Sequence, residues 1–379
     1  MVKKTVLPLC LSAILLIFSV IPTYASENEF ITAPSAVLME ASTGKILYEK
    51  NMHEQRPCAS ITKVMTLLLV FEAIDSGKLR LDDTITASEH ASSMGGSDIW
   101  LEAGEQMSAD DMIKATVVAS ANDAAVALAE HISGSEDAFV QQMNQKAKSL
   151  GMNDTVFKNC NGLDEDGHIT SAYDVAVMSR ELIKHKKIYD YTSIWLDWLR
   201  NGETQIVNTN KLLKSYNGIT GLKTGTTDDA GCCISATAER DGMTLIGVVL
   251  GCATGKERFA DAAAVLDYGF ANYSVKELKK PDDFPLSIPV SGGMEDSVDI
   301  QCDVNSSIVI NKASSDEAQI DISLPEELEA PVTKNQSIGR IHYKIGDEQQ
   351  SFDITAKGDV EKVSFSLIWG RLFNSLLEL

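Results

Sequence analysis

Apolar and polar positions change rhythm several times along the chain, and each rhythm predicts an element. Ala36-Val37-Leu38-Met39-Glu40 and Lys45-Ile46-Leu47-Tyr48-Glu49 are strand-like runs joined by Ala41-Ser42-Thr43-Gly44, which reads as an opening β-hairpin. Ser60 to Asp75 is nearly continuous in Val, Met and Leu, the pattern of a helix buried on most sides. Ser108 with Asp111 three residues on has the spacing of a capping box and opens another helix that runs toward Ser120. There Ser-Ala-Asn-Asp supplies cap-type residues before the helical pattern resumes over 124–132. Strand runs return at 231–238 and 243–250, linked through Arg240-Asp241-Gly242, and 258–273 is helical again. Strands, many helices, strands and a helix, in that order, predict an α+β domain with helices packed on an antiparallel sheet.

Near residue 278 the texture changes. Lys279-Lys280-Pro281-Asp282-Asp283 reads as a linker, and beyond it Val298-Ile300-Cys302-Val304, Ile320-Ile322-Leu324 and Ile341-Tyr343-Ile345 alternate with polar residues. That alternation predicts a small β-rich domain with one buried face per sheet. The first 25 residues combine Lys3 and Lys4, an apolar stretch from Val6 to Val20 and a small-residue site at Thr23-Tyr24-Ala25. They read as a secretory signal peptide, with an uncleaved anchor as the alternative. At the other end Phe365, Ile368, Trp369, Leu372, Phe373, Leu376 and Leu379 share one helical face, opposite Ser364, Arg371, Ser375 and Glu378. This stretch suits a helix lying in a membrane interface, the alternative being a helix docked on its own domain. The expected organisation is a signal peptide over 1–25, an α+β domain over 26–277, a β-rich domain over 278–360 and an amphipathic helix over 361–379. Export to the outer face of the cytoplasmic membrane, with peripheral anchoring by the last helix, follows from the two ends.

Composition narrows the function. The 379 residues are 44% hydrophobic and 23% charged, which excludes a disordered or fibrous chain. The 33 basic and 54 acidic side chains leave a formal net charge of −21. Such a chain gains nothing from counterion release on a polyphosphate, which argues against nucleic acid as a partner. Cys10 lies in the leader, leaving Cys58, Cys160, Cys232, Cys233, Cys252 and Cys302. Adjacent Cys232 and Cys233 point to opposite faces of a strand and cannot pair normally. The even count permits disulfides and free buried thiols alike. No C-x-x-C, H-E-x-x-H or spaced Cys/His cluster occurs, so neither a metal nor a cofactor is expected.

Three segments carry candidate chemistry: Ser60-Ile61-Thr62-Lys63, Ser120-Ala121-Asn122 and Lys223-Thr224-Gly225. In the first, Lys63 projects from the same helical face as Ser60. A serine hydroxyl needs a base within hydrogen-bond reach, and a lysine serves only if burial or a neighbouring cation lowers its pKa. Ser120 offers a hydroxyl that can relay a proton, and Asn122 an amide that can hold a carbonyl. Lys223 and Gly225 share one strand face, with Thr224 on the other, and the glycine admits close approach of a ligand to the backbone. Singly, each has a bland explanation: a helix cap with a surface lysine, a capped helix break, a turn with an incidental lysine.

Together, S-x-x-K, S-x-N and K-T-G form a signature of penicillin-recognising serine enzymes. The sequence resembles the D-alanyl-D-alanine carboxypeptidases, the low-molecular-mass penicillin-binding proteins. Residues 36–50 look like the family's opening hairpin, Cys58-Ala59-Ser60-Ile61-Thr62-Lys63 like its P-A-S-x-T-K, and Gly221-Leu222-Lys223-Thr224-Gly225-Thr226-Thr227 like its G-x-K-T-G-x-T. Phe157 to Asp174 is similar to a further family segment. The likeness spans roughly residues 30–275, and the β-rich domain and terminal helix match the family's usual C-terminal arrangement.

The resemblance implies a transpeptidase-like fold, with Ser60 acylated, Lys63 as its base and Ser120 relaying protons to the leaving D-alanine. It implies that Asn122 binds the substrate amide, that Lys223, Thr224, Gly225 and Thr226 surround the substrate carboxylate, and that the Ser60 and Thr226 amides form an oxyanion hole. The substrate would be a peptidoglycan stem pentapeptide, with β-lactams as inhibitors. Three departures stand out: Cys58 where the family has proline, S-A-N for S-D-N, and Thr226 where some relatives carry histidine. His168 reads as structural, and Arg258 as either a nearby positive charge or a surface ion pair. Two competing functions are a serine β-lactamase, disfavoured by the lack of an E-x-x-L-N segment, and a catalytically silent wall-binding protein, disfavoured by intact Ser60, Lys63 and Lys223.

Overall fold

The computed structural model describes residues 30–304, 306–314, 317–346, 348–366 and 368–369. The segment expected to be a signal peptide, 1–25, and residues 370–379 of the expected amphipathic helix lie outside these residues. The chain opens with the expected hairpin, β1 (Ser35–Glu40) and β2 (Ile46–Lys50), with Ala36 opposite Lys50. A 3₁₀ turn at Ala59–Thr62 leads into α1 (Lys63–Asp75). From Lys63 to Phe71 every α1 side chain is buried, as the unbroken apolar run demands. β3 (Thr84–Thr86), α2 (Glu89–Ser92), β4 (Gln106–Ser108) and α3 (Ala109–Lys114) follow. The Ser108 hydroxyl accepts the Asp111 amide and caps α3, the N-terminal device its spacing suggested.

The helical part continues through α4 (Asn122–Ser133), α5 (Glu136–Ser149), α6 (Ala172–Leu182) and α7 (Ile188–Thr192). A small hairpin, β5 (Leu196–Leu199) and β6 (Thr204–Val207), returns the chain to the sheet as β7 (Ile219–Thr227), β8 (Gly231–Arg240) and β9 (Met243–Cys252). The five long strands lie in the order β2-β1-β9-β8-β7, all antiparallel. α8 (Gly255–Asn272) starts at a full capping box between Thr254 and Glu257 and packs on one face with Leu38, Ile234, Leu245 and Val249. α1, α4 and α6 bury the other face with Val37, Met39, Ile246 and Val248. Each such fully buried aliphatic side chain contributes roughly 1.5–3 kcal/mol. β7 is therefore an edge strand beside the head of α1.

β10 (Tyr273–Leu278) pairs with β13 (Ser306–Asn311), so the chain enters the second β region at Tyr273, ahead of the change of texture at 278. β11 (Ser287–Ser291), β12 (Ser297–Cys302), β14 (Ala318–Ser323), β15 (Leu328–Glu329), β16 (Ser337–Ile345) and β17 (Glu348–Ala356) form a second sheet in the order β14-β16-β17-β12-β11-β15. β16 alternates as expected, with Ile341, Tyr343 and Ile345 buried. β14 does not: it is an edge strand and its Ile320 is exposed.

Candidate active site

The first segment is built at the join between the 3₁₀ turn and α1. Ala59 takes a positive φ of 50°, which turns the chain sharply into the helix and leaves Ser60 partly accessible while Lys63 is completely buried. One turn of helix puts Lys63 Nζ 2.9 Å from Ser60 Oγ. Nζ also donates to Asn122 Oδ1 at 2.5 Å and to the Asn161 carbonyl at 2.6 Å. Burial pushes Lys63 down from its ordinary 10.5 to about 7, with the nearby Cys160 thiol, Asp123 and Cys58 offsetting only part of the loss. A neutral amine has two N–H bonds and one lone pair. The two fixed oxygens of Asn122 and Asn161 take the N–H bonds, which directs the lone pair at the Ser60 hydroxyl.

The second segment departs from a helix cap. Ala115–Ala119 forms a π-helical turn and Ser120 sits in the left-handed region at φ 62°, the kind of irregularity that gathers at functional sites. The N-cap of α4 is Ala121, with no side-chain cap. Ser120 Oγ instead accepts from Lys223 Nζ at 2.7 Å, and Asn122 reaches the other lysine. Asn122 Nδ2 donates to the Gly95 carbonyl at 2.7 Å, and the Asp123 carboxylate accepts the Ile99, Leu101 and Ala124 amides. One tripeptide thus serves both lysines.

The third segment lies on β7. Lys223 is 2% exposed and donates to Ser120 and to the Thr224 carbonyl at 2.9 Å. Burial holds it well below the ordinary lysine range, and repulsion from Lys63, when that amine is protonated, and from Arg258 acts in the same direction. Thr224 Oγ1 meets Thr209 Oγ1 at 2.6 Å, and Thr226 Oγ1 accepts from Arg258 at 3.0 Å. Arg258 is buried and also bonds the carbonyls of Gly225 and Cys233, so it is no surface ion pair. At Gly225 the close approach comes from the protein itself: a Cβ would lie 2.6 Å from the Cys58 carbonyl oxygen and 2.9 Å from the Ser60 nitrogen.

Four contributors were not singled out from sequence: the Asn161 carbonyl, Gly162, Thr209 and the Gly95 carbonyl. Gly162, at φ 88°, packs so tightly that a Cβ would sit 2.0 Å from the Ala59 carbonyl oxygen. The Asn161-Gly162 pair was the available signal. His168 is structural: Nδ1 accepts the Lys158 amide at 3.1 Å, so Nε2 carries the proton to Thr62 Oγ1 at 2.7 Å. Burial lowers it to about 4. Among the described residues no group of three His, Cys, Asp or Glu side chains could hold a metal.

A helix-flanked antiparallel sheet whose edge strand brings a Ser–Lys pair beside a second Ser–Lys pair defines the class of penicillin-recognising serine hydrolases. The family described as D-alanyl-D-alanine carboxypeptidase matches residues 22–254, and the C-terminal domain of penicillin-binding protein 5 matches 273–362. The chain is 42% identical over 338 residues to the D-alanyl-D-alanine carboxypeptidase DacF of Bacillus subtilis, covering 88% of this chain and 87% of that protein. Penicillin-binding protein 5 from Haemophilus influenzae superposes with a TM-score of 0.78 at 31% identity, over 88% of this chain and 98% of the other. Penicillin-binding protein D2 from Listeria monocytogenes in its ampicillin-bound form gives 0.59 at 34% identity, over 64% and 99%. The chain belongs to the D-alanyl-D-alanine carboxypeptidase family and is a serine-type peptidase.

Proposed function

We propose that Ser60 is the residue acylated when the terminal D-alanine is removed from a peptidoglycan stem pentapeptide. Ser60 Oγ attacks the carbonyl carbon of the penultimate D-alanine while its proton passes to Lys63 Nζ. The observation that carries this reading is the setting of Lys63, a buried amine whose N–H bonds point at Asn122 and Asn161 and whose remaining valence points at Ser60. The developing oxyanion is stabilised by the amides of Ser60 and Thr226, on a strand that Gly225 lets approach the Ser60 nitrogen closely. Collapse breaks the peptide bond, and the leaving amine takes its proton from Ser120, held in place by Lys223; Ser120 recovers the proton that Lys63 took from Ser60, so Lys63 is again a neutral amine. Water then attacks the ester with Lys63 as base, and the peptide leaves with Ser60 regenerated.

Asn122 retains one N–H and one lone pair beyond its bonds to Lys63 and Gly95, enough to hold a substrate amide. Lys223, Thr224, Gly225 and Thr226 border the substrate carboxylate, with Arg258 adding positive charge behind Thr226. A β-lactam enters the same pocket and leaves a long-lived penicilloyl ester, since nothing in the sequence supplies the E-x-x-L-N device for rapid hydrolysis.

The purified protein should release D-alanine from a D-Ala-D-Ala peptide and take up labelled penicillin. Ser60→Ala should abolish both while leaving the fold intact. Label retained in that variant would remove Ser60 from its role, and rapid turnover of the adduct by intact-protein mass would favour a β-lactamase.

We also infer that the protein is exported and rests on the membrane surface through 361–379. No helix among the described residues is long and apolar enough to cross a membrane. Phe365, Ile368 and Trp369 are nevertheless exposed, and the Phe365 and Trp369 rings stack edge-on one helical turn apart, forming the start of an apolar stripe suited to an interface.

A further inference from the structure

Trp100 is 77% exposed and holds φ at 55°, in the left-handed region that bulky side chains avoid. Among the described residues it is the only aromatic with positive φ. Its neighbours explain how the conformation persists. Ile99 and Leu101 are buried, and their amides both bond the Asp123 carboxylate, at 3.1 and 3.0 Å. With both flanks pinned inward, the indole between them is held outward. The same loop is fixed to the catalytic tripeptide, because the Gly95 carbonyl accepts from Asn122 Nδ2 and the Ser97 carbonyl from the Asn122 amide. Trp100 follows Ser97 by three peptide steps, at most about 11 Å of chain. The backbone that carries the indole is therefore fixed a short length of chain from the carbonyls that hold Asn122.

A cavity of about 620 Å³ opens against it, lined by Trp100, Glu102, Glu105, Arg200 and Thr204. Arg200 grips Glu105 through two bonds, Nε to Oε1 at 2.6 Å and a terminal nitrogen to Oε2 at 3.1 Å, and donates to Thr204 Oγ1 at 3.0 Å. Arg200 and Asn201 also carry positive φ, so the chain is bent on both sides of this cavity. A flat apolar face beside a planar, mutually neutralised guanidinium–carboxylate pair suits a neutral ring with C–H bonds on one face and hydrogen-bonding groups on its edge. A strongly charged ligand would have to break the Arg200–Glu105 pair; a pyranose does not.

We propose that Trp100 and this cavity form a subsite for an amino-sugar ring of the glycan strand from which the stem peptide hangs. The inference rests on the reading that wall peptide is the substrate. It assigns the loop a positioning role in which sugar contact brings the peptide to Ser60.

The test compares D-alanine release from a free stem pentapeptide with release from the same peptide still joined to its disaccharide, in wild type, Trp100→Ala and Trp100→Phe. Trp100→Ala should lower kcat/KM for the disaccharide-linked substrate about tenfold more than for the free peptide, as expected for loss of one stacking contact. The loss should appear in KM, and Trp100→Phe should recover most of it. The rate of penicillin acylation reports whether the pocket itself is undisturbed. An unchanged ratio between the two substrates in Trp100→Ala overturns the proposal, as does a parallel fall in penicillin acylation. Titration with the peptide-free disaccharide separates the two readings: failure to hydrolyse either substrate, with disaccharide binding that Trp100→Ala abolishes, removes the carboxypeptidase reading and keeps the subsite. Absence of disaccharide binding with both substrates cleaved equally well removes the subsite alone.

Discussion

A lysine with no exposed surface must match its charge with oxygen acceptors or surrender its proton, and Lys63 is caught between the two. Its three oxygen neighbours lie within hydrogen-bond distance, yet burial still lowers it to about 7. The neutral amine is the competent base, so acylation of Ser60 by penicillin should rise with pH, about tenfold per unit below 7, and level off above it. Stopped-flow or mass-resolved acylation rates measure this, and a profile flat between pH 5 and 8 would deny Lys63 the role. The same depression affects stability. The unfolded lysine holds its proton up to about 10.5, so between 7 and 10.5 the unfolded state binds more protons and this residue's contribution to stability improves as pH rises. The Ser60–Lys63 relation was legible in the sequence because three positions on a helix fix which side chains meet. The Asn161 carbonyl was not, because a backbone oxygen leaves no trace in residue identity.

Elements meet at the site by close backbone contact, and glycine is what permits it. β7 lies against the turn bearing Ser60 only because Gly225 has no Cβ to strike the Cys58 carbonyl. Gly225→Ala forces the strand and the turn apart. It should cost roughly 1–3 kcal/mol of stability, as overpacking does, and slow penicillin acylation by about 100-fold, since a displacement near 1 Å has that effect on a reacting pair. Gly358→Ala, where a Cβ meets nothing within 4 Å, is the control, and equal behaviour of the two variants in thermal unfolding and acylation would refute the argument. Strands β1, β2, β8 and β9 and helix α1 were readable from period and turn residues. The π turn at Ala115–Ala119 was not, because its sequence reads as ordinary helix and the extra residue is imposed by the need to aim Ser120 at Lys223.

For the whole molecule, the change from helical to two-residue period announced the second domain, while the join between domains depends on contacts that no local pattern contains. Lys312 Nζ reaches the Phe270 carbonyl at 2.7 Å, and Lys45 meets Glu348 and the Val309 carbonyl. Deleting 361–379 leaves these contacts in place, so the truncated protein should leave the membrane fraction yet hydrolyse peptide at the full rate; persistence in membranes would place the anchor elsewhere. The thiols have a further consequence. All six cysteines of the described residues are free; burial raises Cys58 to about 11 and Cys233 and Cys252 to about 12, and it holds Cys160 well above the ordinary thiol range. The native chain should therefore ignore a mild disulfide oxidant at these four positions, with rapid thiol titration finding, among the described cysteines, only the partly exposed Cys232 and Cys302. A denatured chain has no such shelter. Renaturation from urea should return full activity with a reductant present and little without one, so that the oxidant sensitivity of this protein belongs to its birth rather than to its working life.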